Sequence, residues 1–280
     1  MGWDLVVFLA TLQGVAEFLP ISSSGHLRVA ESALGVGHVP VLFDVLLHLG
    51  TLVAVVVVYR PLLARTLVAA GRGLARPRAA FRDDPYFRLG AFVVLAMLPT
   101  LAIVLVLRTF AETWAQDIAR VGATLLVTSV MLLVLGRRLV ARRERRAAPG
   151  RTLAEMTWRD ALVIGSAQGL SATFRGLSRS GSTITGAVFS GLDQEAAASF
   201  SFLVSIPAVL GALVFSLEDY DGNGGILALG LVGAVVAGVV GWLALRWLLA
   251  LLGRGRLHLF AGGGAAVGVF AIVWRLTKGS

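Results

Sequence analysis

Cysteine is absent from this chain, which excludes disulfides and thiol chemistry and leaves the redox compartment unread. Charge is scarce. Asp, Glu, Lys and Arg make up 15% of the residues, against roughly 25% in soluble domains. Lysine is nearly missing, since Lys278 is the only one among 25 basic residues. The first residues carry Asp4 and lack a basic run or a small-residue cleavage pattern, which predicts no removable signal peptide.

What is abundant is apolar: 57% of the 280 residues are hydrophobic and the mean hydropathy is +0.83. A chain of this length has room for two soluble domains, but its long apolar segments point to one membrane bundle over 1–280. The net charge of +9 is not spread evenly. Of the 25 basic residues, 18 fall in three short stretches: seven from Arg60 to Arg88, eight from Arg137 to Arg159 and three from Arg246 to Arg256. Each adjoins an apolar segment, as cytoplasmic loops do under the positive-inside rule. No basic face interleaved with aromatics is visible, so no nucleic-acid partner is expected.

Six segments are long enough to cross a hydrocarbon core of about 30 Å, which takes about 20 residues. They run near 40–59, 88–108, 119–137, 196–217, 226–249 and 257–276. Two further apolar stretches, 2–34 and 159–192, are broken in the middle. The breaks are Leu19-Pro20-Ile21-Ser22-Ser23-Ser24-Gly25 and Arg175-Gly176-Leu177-Ser178-Arg179-Ser180-Gly181-Ser182. Irregular backbone at membrane depth survives only where protein buries it or where it lines a wet cavity. Both stretches therefore read as re-entrant helical hairpins with polar tips.

The two broken stretches also resemble each other. Gln13-Gly14-Val15 through Ser24-Gly25 parallels Gln168-Gly169-Leu170 through Ser180-Gly181, and Phe43-Asp44-Val45-Leu46-Leu47 has a counterpart in Phe200-Ser201-Phe202-Leu203. The expected fold is an all-α polytopic membrane protein with six transmembrane helices, two re-entrant hairpins and an inverted-topology repeat. The first repeat is 1–137 and the second 159–276, each a hairpin plus three spans. Three spans is an odd number, so the second repeat enters upside down. Placing 60–88 and 137–159 inside puts Glu218, Asp219 and Asp221 outside and Arg254 and Arg256 inside. Arg275 and Lys278 run against this assignment. Inverted repeats with broken helices put their site near the midplane, at the repeat interface.

An ionisable group in the bilayer core costs about 2.5–3.5 kcal/mol on insertion scales. Yet Glu17, His26, Asp44, His48, Arg175 and Arg179 all lie in or beside the broken segments. On a helical arm Gln13 and Glu17 share a face, and Ser22, Ser23, Ser24 and His26 follow at the tip. The other tip offers Ser178, Arg179, Ser180, Ser182 and Thr183. Hydroxyls, N–H groups at a helix start and a planar guanidinium are what phosphate oxygens require. A carboxylate beside them would repel phosphate unless a cation intervenes or it acts as a base.

Gln13-Gly14-Val15-Ala16-Glu17-Phe18-Leu19-Pro20-Ile21-Ser22-Ser23-Ser24-Gly25-His26-Leu27 and Leu177-Ser178-Arg179-Ser180-Gly181-Ser182-Thr183-Ile184 resemble the two signatures of undecaprenyl-diphosphate phosphatases, the bacitracin-resistance type of integral membrane phosphatase. Asp44 and the stretch Ser199 to Pro207 fit the same pattern, so the resemblance covers essentially the whole chain. It implies hydrolysis of a polyprenyl diphosphate to the monophosphate at the outer face of the cell membrane, recycling the carrier lipid for cell-wall assembly. It also implies that Glu17 and His26 are catalytic, that Arg179 binds the diphosphate, and that a divalent cation assists. That cation is Mg²⁺ or another such as Ca²⁺. Membrane lipids are the other expected partners, and a homodimer is compatible with the pattern.

On this reading the metal bridges Glu17 and the phosphate oxygens, with Gln13 and Asp44 as further candidate ligands. Ser22, Ser24, Ser178, Arg179, Ser180, Thr183 and Arg175 are the candidate diphosphate ligands. His26 either attacks phosphorus or activates water or Ser23 as a general base. Two departures from the family pattern stand out: Gln13 replaces a frequent Glu, and Arg175 replaces the Pro of a Pro-Gly pair. Arg175 either adds a phosphate ligand or alters the turn. The competing function is a carrier or flippase of the polyprenyl phosphate, because broken inverted repeats are also transporter architecture. The blander readings are a structural Glu17–Arg179 pair, serines that merely cap, His48 as a polar contact between helices, and close packing at Gly230, Gly233, Gly238, Gly241, Gly262, Gly263, Gly264 and Gly268.

Overall fold

A computed structural model describes residues 2–36, 39–144, 148, 150–218, 224–252 and 257–278. Among these residues the chain is helical almost throughout. The first half holds α1 (Trp3–Phe18), α2 (Ser23–Ala33), α3 (Val41–Gly73), α4 (Pro77–Asp83), α5 (Pro85–Val106), α6 (Arg108–Gln116) and α7 (Ile118–Glu144). The second holds α8 (Trp158–Thr173), α9 (Arg179–Phe189), α10 (Gln194–Glu218), α11 (Gly224–Leu252) and α12 (Ala261–Lys278). Six helices are long and apolar enough to cross a membrane: α3, α5, α7, α10, α11 and α12 with the turn before it. Each overlaps one of the expected spans, although α5 stops at Val106, short of the expected 108, and the protein is a multi-pass membrane protein.

The basic stretches differ from expectation. Arg60 to Arg72 are not in a loop, because α3 continues to Gly73. Arginine is a good helix former, and Thr66, Ala69 and Gly73 bury one face of the extension. In the second basic stretch Arg151 is a structural tie. It makes two 2.8 Å hydrogen bonds to Asp160 at the start of α8 and a third, also 2.8 Å, to the Ser190 carbonyl after α9. It thereby fixes the bases of both arms. Asp219, Asp221, Arg254 and Arg256 lie outside the described residues.

The broken stretches form helix–break–helix pairs, α1/α2 and α8/α9. Pro20 cannot donate a hydrogen bond and biases Leu19 to extended backbone, where it has φ −64° and ψ 137°. The chain then turns at Ser22, whose φ of 73° is unusual for a residue with a side chain. In the other break Gly176 takes φ 98°, a conformation that suits glycine. Both second arms start with the same cap. The Gly25 N–H donates to Ser22 Oγ at 3.3 Å and the Gly181 N–H to Ser178 Oγ at 3.1 Å. Three further peptide groups of the second break are met by α7. Thr124 donates to the Arg175 carbonyl, and Thr128 donates to the Gly176 carbonyl and accepts from the Ser178 N–H.

The halves interlock. Arm α1 packs on α11 of the other half, and arm α8 packs on α5. Helices α3 and α11 pair, as do α7 and α12. Glycines allow these approaches: a Cβ on Gly165 of α8 would sit 2.1 Å from the Ala96 carbonyl oxygen, and one on Gly14 of α1 would sit 2.8 Å from that of Ala237. Gly122 and Gly268 do the same between α7 and α12. Gly230, Gly233, Gly238, Gly241 and Gly264 also meet neighbours, but a Cβ on Gly262 or Gly263 would meet nothing within 4 Å among the described residues.

Gly165→Ala should therefore force the α5 and α8 backbones apart and lower stability by about 1–3 kcal/mol. Gly262→Ala, with no neighbour to meet, should stay within about 0.5 kcal/mol of the parent. Thermal unfolding of the two variants in the same detergent measures the difference.

Candidate active site

Glu17 ends the first arm, one residue before α1 stops, and is buried with a relative exposure of 8%. Its neighbour Phe18 anchors it, packing on Phe202 of α10 with ring centroids 5.7 Å apart. Four donors or charges surround the carboxylate. Gln13, one turn back on the same face, donates Nε2 to Oε2 at 3.0 Å. Ser23, the first residue of α2, donates Oγ to the same oxygen at 2.6 Å. Arg179, the first residue of α9, donates Nη2 to Oε1. His48 of α3 brings Nε2 to 3.5 Å from Oε2.

Ser23 and Arg179 occupy equivalent positions in the two Ser-x-x-Gly caps. Two helix starts therefore aim one hydroxyl and one guanidinium at a single carboxylate. The tips touch directly, since a Cβ on Gly25 would be 2.8 Å from Gly176 Cα. Arg179 is only partly used by Glu17: its Nη1 is buried and has no hydrogen-bond partner among the described residues.

A cavity of about 340 Å³ opens over this cluster, within the size range of small-molecule sites. Glu17, Ser22, Ser23, Ser24, Asp44, His48, Arg175 and Arg179 all line it. Its other wall is apolar, from Leu27, Val41 and Val45 to Ala208, Val209 and Ala212 on α10. The Arg175 side chain makes no hydrogen bond or ion pair within 4 Å among the described residues and faces this cavity.

Other expected ligands do not reach the cavity. Ser178 Oγ is occupied as a cap, with Ser180 Oγ 3.4 Å away, and Thr183 Oγ1 bonds the Arg179 carbonyl and pairs with Ser201. His26 is also off the cavity wall. Its Nδ1 lies 2.8 Å from the Ser22 carbonyl, which can only accept, so the ring donates there and braces the turn. His48 is the residue whose place sequence reasoning underrated. Its Nδ1 donates to the Asp44 carbonyl at 2.8 Å, which points Nε2 at Glu17. The spacing of four from Asp44 was the available signal. Gln168, the counterpart of Gln13, lines the cavity with Thr100, Ser171 and Ser205.

The oxygens that could meet a divalent cation are the carboxylates of Glu17 and Asp44 on the cavity wall and Gln13 Oε1, which is buried and without a hydrogen-bond partner among the described residues. These are oxygen ligands only, which suits magnesium or calcium. No group of three or more His, Cys, Asp and Glu able to hold a metal occurs among the described residues. A divalent cation there would need phosphate oxygens to complete its coordination, as magnesium sites commonly do.

The family described as bacitracin resistance protein BacA matches residues 6–270. The chain belongs to that family. An undecaprenyl-diphosphatase of Desulfatibacillum aliphaticivorans is 36% identical over 269 residues, covering 93% of this chain and 94% of the relative. One from Mycobacterium leprae is 38% identical over 283 residues, covering 99% and 96%. One from Mycobacterium bovis is 38% identical over 278 residues, covering 98% and 96%.

Removing one partner of a buried ion pair costs about 3–5 kcal/mol, because the other charge is left uncompensated. Arg179→Met and Glu17→Gln should each lower the unfolding midpoint in detergent. The double substitution should destabilise by less than the sum of the singles. Strict additivity would mean that the two side chains are not paired in the folded protein.

Proposed function

We propose that the protein hydrolyses a long-chain polyprenyl diphosphate to the monophosphate and inorganic phosphate, recycling a lipid carrier for cell-wall assembly. The observation that carries this is the short Ser23–Glu17 hydrogen bond, set beside a guanidinium whose Nη1 has no hydrogen-bond partner among the described residues. The relatives named undecaprenyl-diphosphatase support the substrate class.

The chemistry follows from the arrangement. Ser23 Oγ already donates its proton to Glu17 Oε2, so the carboxylate serves as the base that activates a nucleophile. Attack at the terminal phosphorus forms a Ser23 O–P bond and breaks the P–O bond to the lipid monophosphate, which leaves. Glu17 loses that proton to solvent through the open cavity; it then takes a proton from water, which attacks phosphorus, and returns it to Ser23 Oγ as the Ser23 O–P bond breaks and inorganic phosphate leaves. Arg179 Nη1 takes the oxygens of the transferred phosphate, where phosphoryl transfer gains most from fixed positive charge, and Arg175 binds the diphosphate in the ground state. Ser22 and Ser24 stand on the same wall. His26 acts as a positioning residue by holding the Ser22 carbonyl, and His48 aligns Glu17. A magnesium ion held by Glu17 and Asp44, with Gln13 behind, would neutralise charge on the diphosphate when bound.

The apolar wall on α3 and α10 suits the first isoprene units. The cavity is lined by the first turns of α3, whereas Arg60 to Arg72 lie toward its other end. Under the positive-inside rule this supports a site opening on the extracytoplasmic face. The matching caps and the crossed packing of α1 on α11 and α8 on α5 support reading the halves as inverted repeats.

Purified protein in detergent should release phosphate from a polyprenyl diphosphate, and chelation of divalent cations should reduce the rate. Glu17→Gln and Ser23→Ala should each lower kcat by about 10²–10⁴-fold, the range for loss of acid–base assistance. If folded wild type released no phosphate yet bound the polyprenyl phosphate, the protein would be a carrier instead. Arg175→Ala should raise KM more than it lowers kcat, as loss of ground-state phosphate binding does. An unchanged KM would remove Arg175 from the binding set.

A further inference from the structure

A second, separate groove lies on the outer face of the α3–α11 pair. Its floor is Gly50, Ala54, Ala234 and Gly238, and its walls include Val53, Val57, Val235, Val239 and Trp242. The volume is about 530 Å³. The floor is this low because the two backbones nearly touch: a Cβ on Gly50 would lie 2.0 Å from the Ala234 carbonyl oxygen. Val57 and Trp242 also line a second hollow of about 510 Å³, shared with Arg60, Pro61 and Arg246. The two hollows form one trough, apolar along its length and cationic at one end.

Three features say what fits there. Arg246 lies over the Trp242 ring at 4.9 Å, and neither Arg246 nor Arg60 has a carboxylate partner among the described residues. No acidic residue lines either hollow. From Leu49 to Arg60 the helix rises roughly 16 Å, close to half of a hydrocarbon core of about 30 Å. The trough therefore spans one leaflet, with its charge at the headgroup level. It shares no lining residue with the catalytic cavity.

We infer that this trough is a binding site for an anionic phospholipid of the leaflet on the arginine side. One acyl chain lies along Val53, Val57, Val235 and Val239, and the phosphate meets Arg60 and Arg246. Basic pockets between transmembrane helices are suited to such headgroups. A second copy of the chain is the weaker occupant. Two copies related by a twofold axis along the membrane normal would bring four arginines together with no acid between them.

The test is native mass spectrometry of the full-length protein, released from detergent after incubation with phosphatidylglycerol or phosphatidylcholine. Wild type should retain one phosphatidylglycerol with roughly a 30-fold preference over phosphatidylcholine, from two arginines near the surface. R60Q/R246Q should abolish that preference, and V235W, which fills the trough without touching its floor, should reduce retention of both lipids. All three side chains are exposed, so unfolding midpoints should hold; should one variant melt early, the other carries the test alone. Equal retention of the two lipids by wild type would overturn the inference. So would a preference that survives R60Q/R246Q, or efficient disulfide formation between copies of V235C that excess phosphatidylglycerol does not suppress.

Discussion

Two helices, α1 and α8, stop in the middle of apolar stretches, and each stop uncovers peptide N–H and C=O groups that apolar surroundings cannot satisfy. An unpaired group of this kind costs several kcal/mol in hydrocarbon, so everything around the breaks is arranged to answer it. Ser22 and Ser178 cap the arms that restart, and Thr124 and Thr128 of α7 take the carbonyls and the N–H of the second turn. The tips press together at Gly25 and Gly176, where a side chain would collide. Burial by the other half is then obligatory, which is why each leading arm packs on a span from the opposite half.

The same arrangement creates the site. Restarting a helix inside protein leaves its first N–H groups and its dipole pointing at whatever lies beyond the N-terminus. With two such starts facing one another, the region favours anions. Glu17 is the resident anion, held by Arg179 and Ser23, which are the first residues of the two restarted helices. A buried ion pair adds little net stability over apolar packing, so stability alone does not explain it. Its useful property is that it is incomplete. One guanidinium nitrogen has no hydrogen-bond partner among the described residues, and a hydroxyl in contact with a base lines the same cavity. Ser22 holds a strained backbone there, worth about 1–3 kcal/mol, which a purely structural turn could relieve with glycine.

Long apolar runs and the Pro–Ser–Gly interruptions made the six spans and both breaks legible in the sequence. The helix ends were not, because arginine continues a helix as readily as it starts a loop, and α3 runs well past Tyr59. At the site, Glu17, Arg179 and Gln13 were legible because a charged or amide group in an apolar arm needs a partner. Ser178 and Thr183 were legible only as hydroxyls. Whether a hydroxyl caps a backbone or faces a ligand depends on a neighbour the sequence does not name, here Gly181 for one and Ser201 for the other. Thr124 and Thr128 were invisible for the same reason, being two ordinary residues inside a long apolar helix. Gly262 and Gly263, read as packing glycines, sit where α12 begins and meet no neighbour among the described residues.

Arg175 shows how the turn and the charge can be separated. Proline before a glycine would hold the backbone extended by its own ring. With arginine there, the carbonyl of residue 175 is held by Thr124, and the conformation that a side chain resists falls on Gly176 at φ 98°. The turn is thus secured from α7 and by the glycine, independently of what stands at 175. What the arginine changes is charge: a second guanidinium faces the cavity with no carboxylate in ion-pair contact among the described residues, opposite the one that is tied to Glu17. A diphosphate has two groups to neutralise, and a site whose Gln13 adds no negative charge gains from a second fixed cation.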